Sequence, residues 1–177
     1  ADARSFPSRG PGPRLIRASY GLAGPWALVA MTSVVVACEG SAPVLAVDIG
    51  GTKFESGLVD SYGRILDSRR AATTGVDGEA LFEELIGIVD PLLALGPVVG
   101  IGVGCGGPMT GGGLLVSPLN IGQWRDFPLA ARLAERTGAV VEVDNDAKAL
   151  ALGEGWCGAA VGERNYLAMV VSTGVGG

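Results

Sequence analysis

Six consecutive residues after a short apolar run combine the groups that bind phosphate: Asp48-Ile49-Gly50-Gly51-Thr52-Lys53. The two glycines allow a sharp reversal of the chain and leave backbone N–H groups uncovered. The Thr52 hydroxyl and the Lys53 ammonium add donors for phosphate oxygens, and the Asp48 carboxylate suits a Mg²⁺ ion held through water. The segment is therefore predicted to bind a polyphosphate. A plain hairpin with a Gly-Gly turn is the alternative.

The segment Asp144-Asn145-Asp146 lies where a predicted strand passes into a predicted helix. Asp146 is a candidate general base, which would take the proton from a sugar hydroxyl as its oxygen attacks the γ-phosphate of ATP. Asn145 would hydrogen-bond neighbouring sugar hydroxyls and orient them. Because the chain contains no histidine, a general base within it must be a carboxylate. Ordinary capping of the helix by these residues is the alternative.

Two further glycine-rich segments carry weaker signals. Ser172-Thr173-Gly174-Val175-Gly176-Gly177 follows a predicted strand and would hold phosphates from the opposite side, with a flexible linker as the alternative. After Gly104-Cys105-Gly106-Gly107-Pro108, exposed backbone together with Asn120 would line a sugar pocket. Trp124 is predicted to be a packing anchor rather than a sugar contact.

The secondary structure around these segments determines where they lie. Short apolar runs and loose alternation predict strands at 44–47, 54–59, 64–72, 98–103, 139–143 and 166–171. An apolar stripe predicts a helix over 79–95, with Pro91 a candidate break near its end, and two more helices are predicted over 128–137 and 147–152. This order of elements predicts an α/β fold, with a mixed β-sheet covered by helices.

The composition excludes several classes of protein. Hydrophobic residues make up 48% of the 177, enough to bury a sizeable core. The net charge of −5 arises after residue 43, because residues 1–43 carry more arginine than acid. An acidic globular part gives no electrostatic basis for binding nucleic acid. The three cysteines are far apart in the sequence, which disfavours a disulfide framework and a zinc site within this chain.

Residues 1–43 are set apart as a leader from the domain that follows. Its first part is rich in Arg, Pro, Gly and Ser, which is typical of a disordered or non-native extension. Residues 18–38 are uncharged, so the leader also resembles a secretory signal that ends in a lipoprotein-type box before Cys38. Met31 is a candidate for the true start of translation, with residues 1–30 then an upstream extension of the reading frame. Pro25 and the neighbouring glycines weaken the apolar run as a membrane-spanning helix, and no membrane partner is expected.

Taken together, the segments with chemical potential resemble the ROK family of sugar kinases and repressors. The resemblance runs from about residue 44 to the end of the chain. Five segments carry it in the same order and spacing: Asp48–Lys53, Gly102–Pro108, Asn120 with Trp124, Asn145-Asp146-Ala147 continuing into 149–154, and Ser172–Gly177. Each segment is a weak signal alone, but the combination is specific.

The resemblance implies an actin-like (ribonuclease-H-like) fold of two lobes, with ATP, Mg²⁺ and a hexose bound in the cleft between them. It implies that Asp146 is the catalytic base, that Asn145 and Gly107 contact the sugar, and that the loops 48–53 and 173–176 contact phosphates. It further implies a cytoplasmic enzyme that phosphorylates glucose, another hexose or an N-acetylated amino sugar, and a homodimer in the full-length protein.

Three departures from the family pattern qualify this expectation. Lys148 stands where the family has an Asn two residues after the base. The leader replaces a winged helix-turn-helix, which disfavours the alternative function, a non-enzymatic sugar-sensing regulator. The chain ends where the family continues into a second lobe with its zinc site and adenine pocket. We therefore assign 44–163 to the N-terminal kinase lobe and 164–177 to the start of a truncated C-terminal lobe, and expect weak or no activity from this chain alone.

Overall fold

The computed structural model of the protein describes residues 42–171 and 175–176. The strands are β1 (Val44–Ile49), β2 (Lys53–Val59), β3 (Ile65–Ala72), β4 (Ile101–Cys105), β5 (Val141–Asn145), β6 (Val170–Val171) and β7 (Val175–Gly176). The helices are α1 (Gly78–Leu93), α2 (Leu129–Thr137) and α3 (Asp146–Cys157), with a short 3₁₀ turn at Gly111–Gly113. The predicted order of strands and helices is confirmed. Within the described ranges, no helix combines the length and the apolar composition that crossing a membrane requires.

The first five strands form one mixed sheet in the order β3-β2-β1-β4-β5. The three strands β1, β2 and β3 are antiparallel neighbours, whereas β4 and β5 run parallel to β1. Ile49 pairs with Cys105, and Cys105 pairs with Asn145, so these three strands end level with one another. Because the carboxyl ends of parallel strands meet at one edge of a sheet, the segments after these three residues lie side by side. We call this the carboxyl edge.

Helices α1 and α2 contribute most of the apolar cover of the sheet. The apolar stripe predicted for α1 is buried, and it packs with the alternating residues of β1, β2 and β4 in a single core. The helix begins after Asp77, whose carboxylate accepts a hydrogen bond from the Ala80 N–H at 2.8 Å. The sequence made Pro91 a candidate break, but α1 continues to Leu93. Pro91 is exposed and stands in the last turn of α1.

Helix α3 begins directly at the carboxyl edge. It contacts β4 and β5, and its first residue is Asp146, the candidate base. The predicted strand over 166–171 is confirmed only for Val170–Val171. Before it, residues 166–169 are not in a strand, and the Tyr166 hydroxyl donates to the Ala151 carbonyl at 2.7 Å and lies against Gly155 of α3. Thr173 and Gly174, like the leader with Met31 and Cys38, lie outside the described residues.

Candidate active site

The carboxyl edge brings together the predicted site residues of β1, β4 and β5. Asp48 is the last residue but one of β1, and it pairs in register with Gly104, which in turn pairs with Asp144. The Asp146 carboxylate is near enough to raise the pKa of Asp48 electrostatically. The chain therefore places two acidic groups, one from the phosphate loop and one from the start of α3, at the same edge.

The predicted phosphate segment 48–53 forms the turn of the hairpin between β1 and β2, which we call the phosphate loop. Four residues, 50–53, lie between the paired residues Ile49 and Phe54, and the last of them, Lys53, is also the first residue of β2. The Gly50 N–H donates to the Lys53 carbonyl at 3.1 Å and closes the turn. In the part of the chain that the structure describes, the N–H groups of Gly51 and Thr52 have no hydrogen-bond partner. The hairpin that stood as the alternative is thus present, and its tip offers the uncovered donors that phosphate binding requires.

Both glycines of this loop are required by close approach. A Cβ on Gly50 would lie 2.7 Å from the Lys53 carbonyl oxygen. A Cβ on Gly51 would lie 2.4 Å from the Cβ of Asn120, closer than unbonded carbon atoms approach. The phosphate loop and the segment that carries Asn120 are therefore in direct contact, although Gly51 and Asn120 are 69 positions apart in the sequence.

The segment 117–127, which we call the Asn120 loop, is held by a buried tryptophan that packs in the core and by an arginine that bonds to the loop's own carbonyls. Trp124 is fully buried and stacks between Phe54, with ring centroids 5.6 Å apart, and Phe127, at 4.7 Å. The prediction that Trp124 is a packing anchor is confirmed. Arg125 donates from Nη1 to the carbonyls of Pro118, Ile121 and Trp124 at 3.0, 2.8 and 2.6 Å. The exposed Asn120 thus projects from a loop whose backbone is held on both sides.

Asn145 and Asp146 form the start of α3 as well as part of the carboxyl edge. Both side chains accept from the Ala147 N–H, Asn145 at 3.1 Å and Asp146 at 2.9 Å, so the capping alternative is also correct. Each side chain keeps atoms that face the glycines after β4. Asn145 Nδ2 lies 3.9 Å from where a Gly107 Cβ would stand, and Asp146 Oδ2 lies 4.0 Å from that of Gly106. The absence of side chains on these glycines leaves room beside the amide and the carboxylate.

Lys53 is held by a carboxylate that the sequence reasoning missed. Its Nζ lies 2.8 Å from Oε1 of Glu55, which is buried on β2, and Arg70 of β3 approaches the same oxygen at 3.9 Å. Glu55 also pairs in register with Asp48. Counting outward from a four-residue hairpin loop would have placed Glu55 opposite Asp48, so the signal was present in the sequence. The Lys53 ammonium is therefore paired with Glu55 in this structure. Its role as a phosphate contact stays a prediction.

Burial makes Asp48 an unusually weak acid. Desolvation, followed by the charges of Glu55 and Asp146, raises its pKa from 3.8 to about 6, although Lys53 acts in the opposite direction. Between these two values the folded protein binds more protons than the unfolded chain, so the Asp48 contribution to stability falls as the pH rises. At neutral pH the buried, ionised carboxylate therefore lowers the stability of the folded protein, and a bound cation would offset this loss.

We expect Asp48→Asn to stabilise the protein at neutral pH. The gain in the free energy of unfolding should be close to zero near pH 4 and should grow to roughly 2 kcal/mol at pH 7, following the raised pKa of Asp48. Urea unfolding of both proteins at a series of pH values measures this difference. Asp67→Asn is the control, since a hydrogen bond from Arg69 lowers the pKa of Asp67 and its loss should not stabilise. A gain independent of pH would contradict the assignment.

The described residues contain no group of three or more His, Cys, Asp or Glu side chains that could enclose a metal ion. Asp48 is a single carboxylate at the phosphate loop. That fits a Mg²⁺ ion that would be bound by phosphate oxygens and water, with Asp48 holding it through a water molecule. Cys105 lies at the same edge, but burial and the charges of Asp146 and Asp48 raise its pKa to about 12. It is a buried, uncharged thiol.

The ROK family matches residues 44–177. The glucokinase of Halalkalibacterium halodurans is 39% identical over 140 residues, which are 75% of this chain and 42% of that protein. The glucokinase of Thermotoga maritima is 37% identical over 139 residues, which are 76% of this chain and 43% of that protein. The chain thus spans about two fifths of the length of these relatives.

The structure is similar to that of a ROK family glucokinase from Streptomyces griseus in complex with glucose and AMPPNP, with a TM-score of 0.70 and 34% identity over 76% of this chain and 43% of that chain. The ROK hexokinase from Thermus thermophilus gives a TM-score of 0.68 and 37% identity over 75% of this chain and 45% of that one.

Proposed function

Because the chain belongs to the ROK family and has its actin-like fold, we propose that it forms the phosphate- and sugar-binding half of an ATP-dependent hexose kinase. One observation carries this proposal: the phosphate loop, the Asn120 loop and the Asp146 carboxylate lie together at the carboxyl edge. A donor phosphate, a sugar and a general base must be adjacent for phosphoryl transfer. The Streptomyces griseus relative was solved with glucose and an ATP analogue, so we take glucose as the first sugar to test.

In the proposed reaction, the hydroxyl oxygen of the sugar attacks the γ-phosphorus of ATP. The new bond joins that oxygen to phosphorus, the bond from phosphorus to the β,γ-bridging oxygen breaks, and ADP leaves with the electron pair. The Asp146 carboxylate accepts the hydroxyl proton. Asn145 Nδ2 and Asn120 donate to neighbouring sugar hydroxyls and fix the attacking oxygen. Gly107, with no side chain, leaves the space that the sugar ring occupies.

The phosphate loop supplies donors to the polyphosphate chain of ATP. The unpaired N–H groups of Gly51 and Thr52, the Thr52 hydroxyl and Lys53 suit phosphate oxygens. Asp48 would hold Mg²⁺ through its waters, and the ion would neutralise phosphate charge. Thr173 and Gly174 are proposed to contact phosphates from the other side. A nucleotide-dependent sugar kinase implies a cytoplasmic location, where ATP is available.

Two measurements test this function. Calorimetric titration of the chain should show binding of Mg·tripolyphosphate, the probe of the phosphate loop, and of glucose. Turnover should be measured by coupled ADP release in a chimera in which residues 44–177 replace the matching segment of the Halalkalibacterium halodurans glucokinase, because the chain covers 42% of that protein. A control chimera with Gly51→Ala, which forces a Cβ against Asn120, should lose tripolyphosphate binding. A folded chimera that neither binds ATP nor phosphorylates any hexose would overturn the proposal.

A further inference from the structure

Thr73, the first residue after β3, contacts the phosphate loop twice. Its backbone N–H donates to the Thr52 carbonyl at 3.1 Å, and its hydroxyl donates to the Gly50 carbonyl at 3.0 Å. The residue is partly buried, and 23 positions separate it from Gly50. The first of these bonds extends the pairing of β2 with β3 by one step beyond Ala72. The second is made by a side chain, so it depends on the residue type.

The hydroxyl bond fixes the orientation of one peptide group. The Gly50 carbonyl and the Gly51 N–H belong to the same planar trans peptide, so they point in opposite directions. When the Thr73 hydroxyl holds the carbonyl on the β3 side, the Gly51 N–H must point away from β3. Among the described residues this N–H has no partner. A glycine pair would otherwise let this peptide rotate with little resistance.

The segment that begins at Thr73 also supports the Asn120 loop. The Gly75 carbonyl accepts from Nε2 of Gln123 at 3.0 Å, and the Gly78 carbonyl accepts from Nε1 of Trp124 at 3.0 Å. One short connection between β3 and α1 therefore holds both loops that meet at Gly51. Thr73 on one side and the Asn120 loop on the other therefore oppose a shift of the phosphate loop.

From this geometry we propose that Thr73 is a positioning residue, whose hydroxyl orients the Gly51 N–H as a donor for a phosphate oxygen of the bound polyphosphate. The inference rests on the proposed function of the loop. It concerns the preorganisation of a donor, not a new contact with the ligand. Thr73 lies behind the peptide that it orients, and removing its hydroxyl should weaken phosphate binding without removing any group that touches phosphate.

The test is calorimetric titration of the full chain with Mg·tripolyphosphate. Thr73→Val keeps the shape of the side chain and the backbone bond to Thr52 but removes the hydroxyl, and it should raise the dissociation constant about tenfold. Thr73→Ser restores the hydroxyl and should bind within about twofold of the unmodified chain. Thr74→Val is the matched control, since the neighbouring Thr74 hydroxyl bonds to Glu84 instead, and it should leave binding unchanged.

Glucose titration and thermal unfolding separate positioning from general damage. Thr73→Val should keep the glucose affinity of the unmodified chain, because the hydroxyl acts on the phosphate loop alone. Equal tripolyphosphate affinity in the Val and Ser variants would overturn the inference, and so would parallel losses of glucose and tripolyphosphate binding. If the unmodified chain itself fails to bind tripolyphosphate, the proposed function of the loop fails first, which is a distinct result.

Discussion

Asp146→Asn should lower the rate of glucose phosphorylation in the chimera by about 10²- to 10⁴-fold, the range that a positioned general base contributes. The amide has nearly the shape of the carboxylate but cannot take the hydroxyl proton. The fold should survive, because in the described part of the chain the Asp146 side chain makes one hydrogen bond, from the Ala147 N–H, and an Asn oxygen can accept it equally well. Coupled ADP release at saturating glucose and ATP measures the loss.

The neighbouring Asp144 provides a matched control for this experiment. It carries the same charge two residues earlier, but its carboxylate pairs with Lys148 of α3 at 3.0 Å. Asp144→Asn should change the rate by less than about tenfold, since a surface ion pair contributes little. Thermal unfolding should show both variants folded, and the glucose affinity of Asp146→Asn should stay close to that of the parent. A similar loss in the two variants would show that charge at this edge, rather than proton transfer by Asp146, limits the reaction.

The elements of this fold could be predicted because each one has a local cause. The apolar run of β1, the loose alternation of β2, the glycine pair between them and the apolar stripe of α1 are all visible in short windows of sequence. The boundary between β5 and α3 was predicted for the same reason, since Asn145 and Asp146 are typical capping residues and do cap. The sheet was predicted only as mixed, because its strand order depends on pairings between residues far apart in sequence.

The contacts that organise the candidate site were beyond the sequence reasoning. Neither Thr73 nor its bond to the Gly50 carbonyl has a signature, because nothing near a threonine at the end of a strand shows which loop it will face. The contact between Gly51 and Asn120 is equally invisible, since either residue alone fits an ordinary turn. The predicted strand over 166–171 was too long, since residues 166–169 are not in a strand and the Tyr166 hydroxyl donates to the Ala151 carbonyl of α3. Such tertiary contacts have no signature in the local sequence.

The buried side chain of Trp124, which packs beneath the candidate site, is expected to contribute strongly to the stability of the protein. Trp124→Ala should lower the free energy of unfolding by about 3–5 kcal/mol, as large aromatic truncations in well-packed cores do. The indole is fully buried, lies between two phenyl rings and donates to the Gly78 carbonyl at 3.0 Å. Since domains of this size are stable by about 5–15 kcal/mol, the loss removes a large part of the total. Urea unfolding followed by circular dichroism measures it.

Two control variants show how much of the stability loss in Trp124→Ala comes from removing the ring that stacks between Phe54 and Phe127. Trp156→Ala, at a partly exposed tryptophan of α3, should cost clearly less. Trp124→Phe retains an aromatic ring between Phe54 and Phe127 but loses the bond to Gly78, so its cost should be about 1–2 kcal/mol. If Trp124→Ala cost no more than Trp156→Ala, the stack would not be the anchor of the Asn120 loop. If the expected loss is found, polyphosphate affinity should fall as well, because Asn120 and the Gly51 peptide in contact with it depend on the same support.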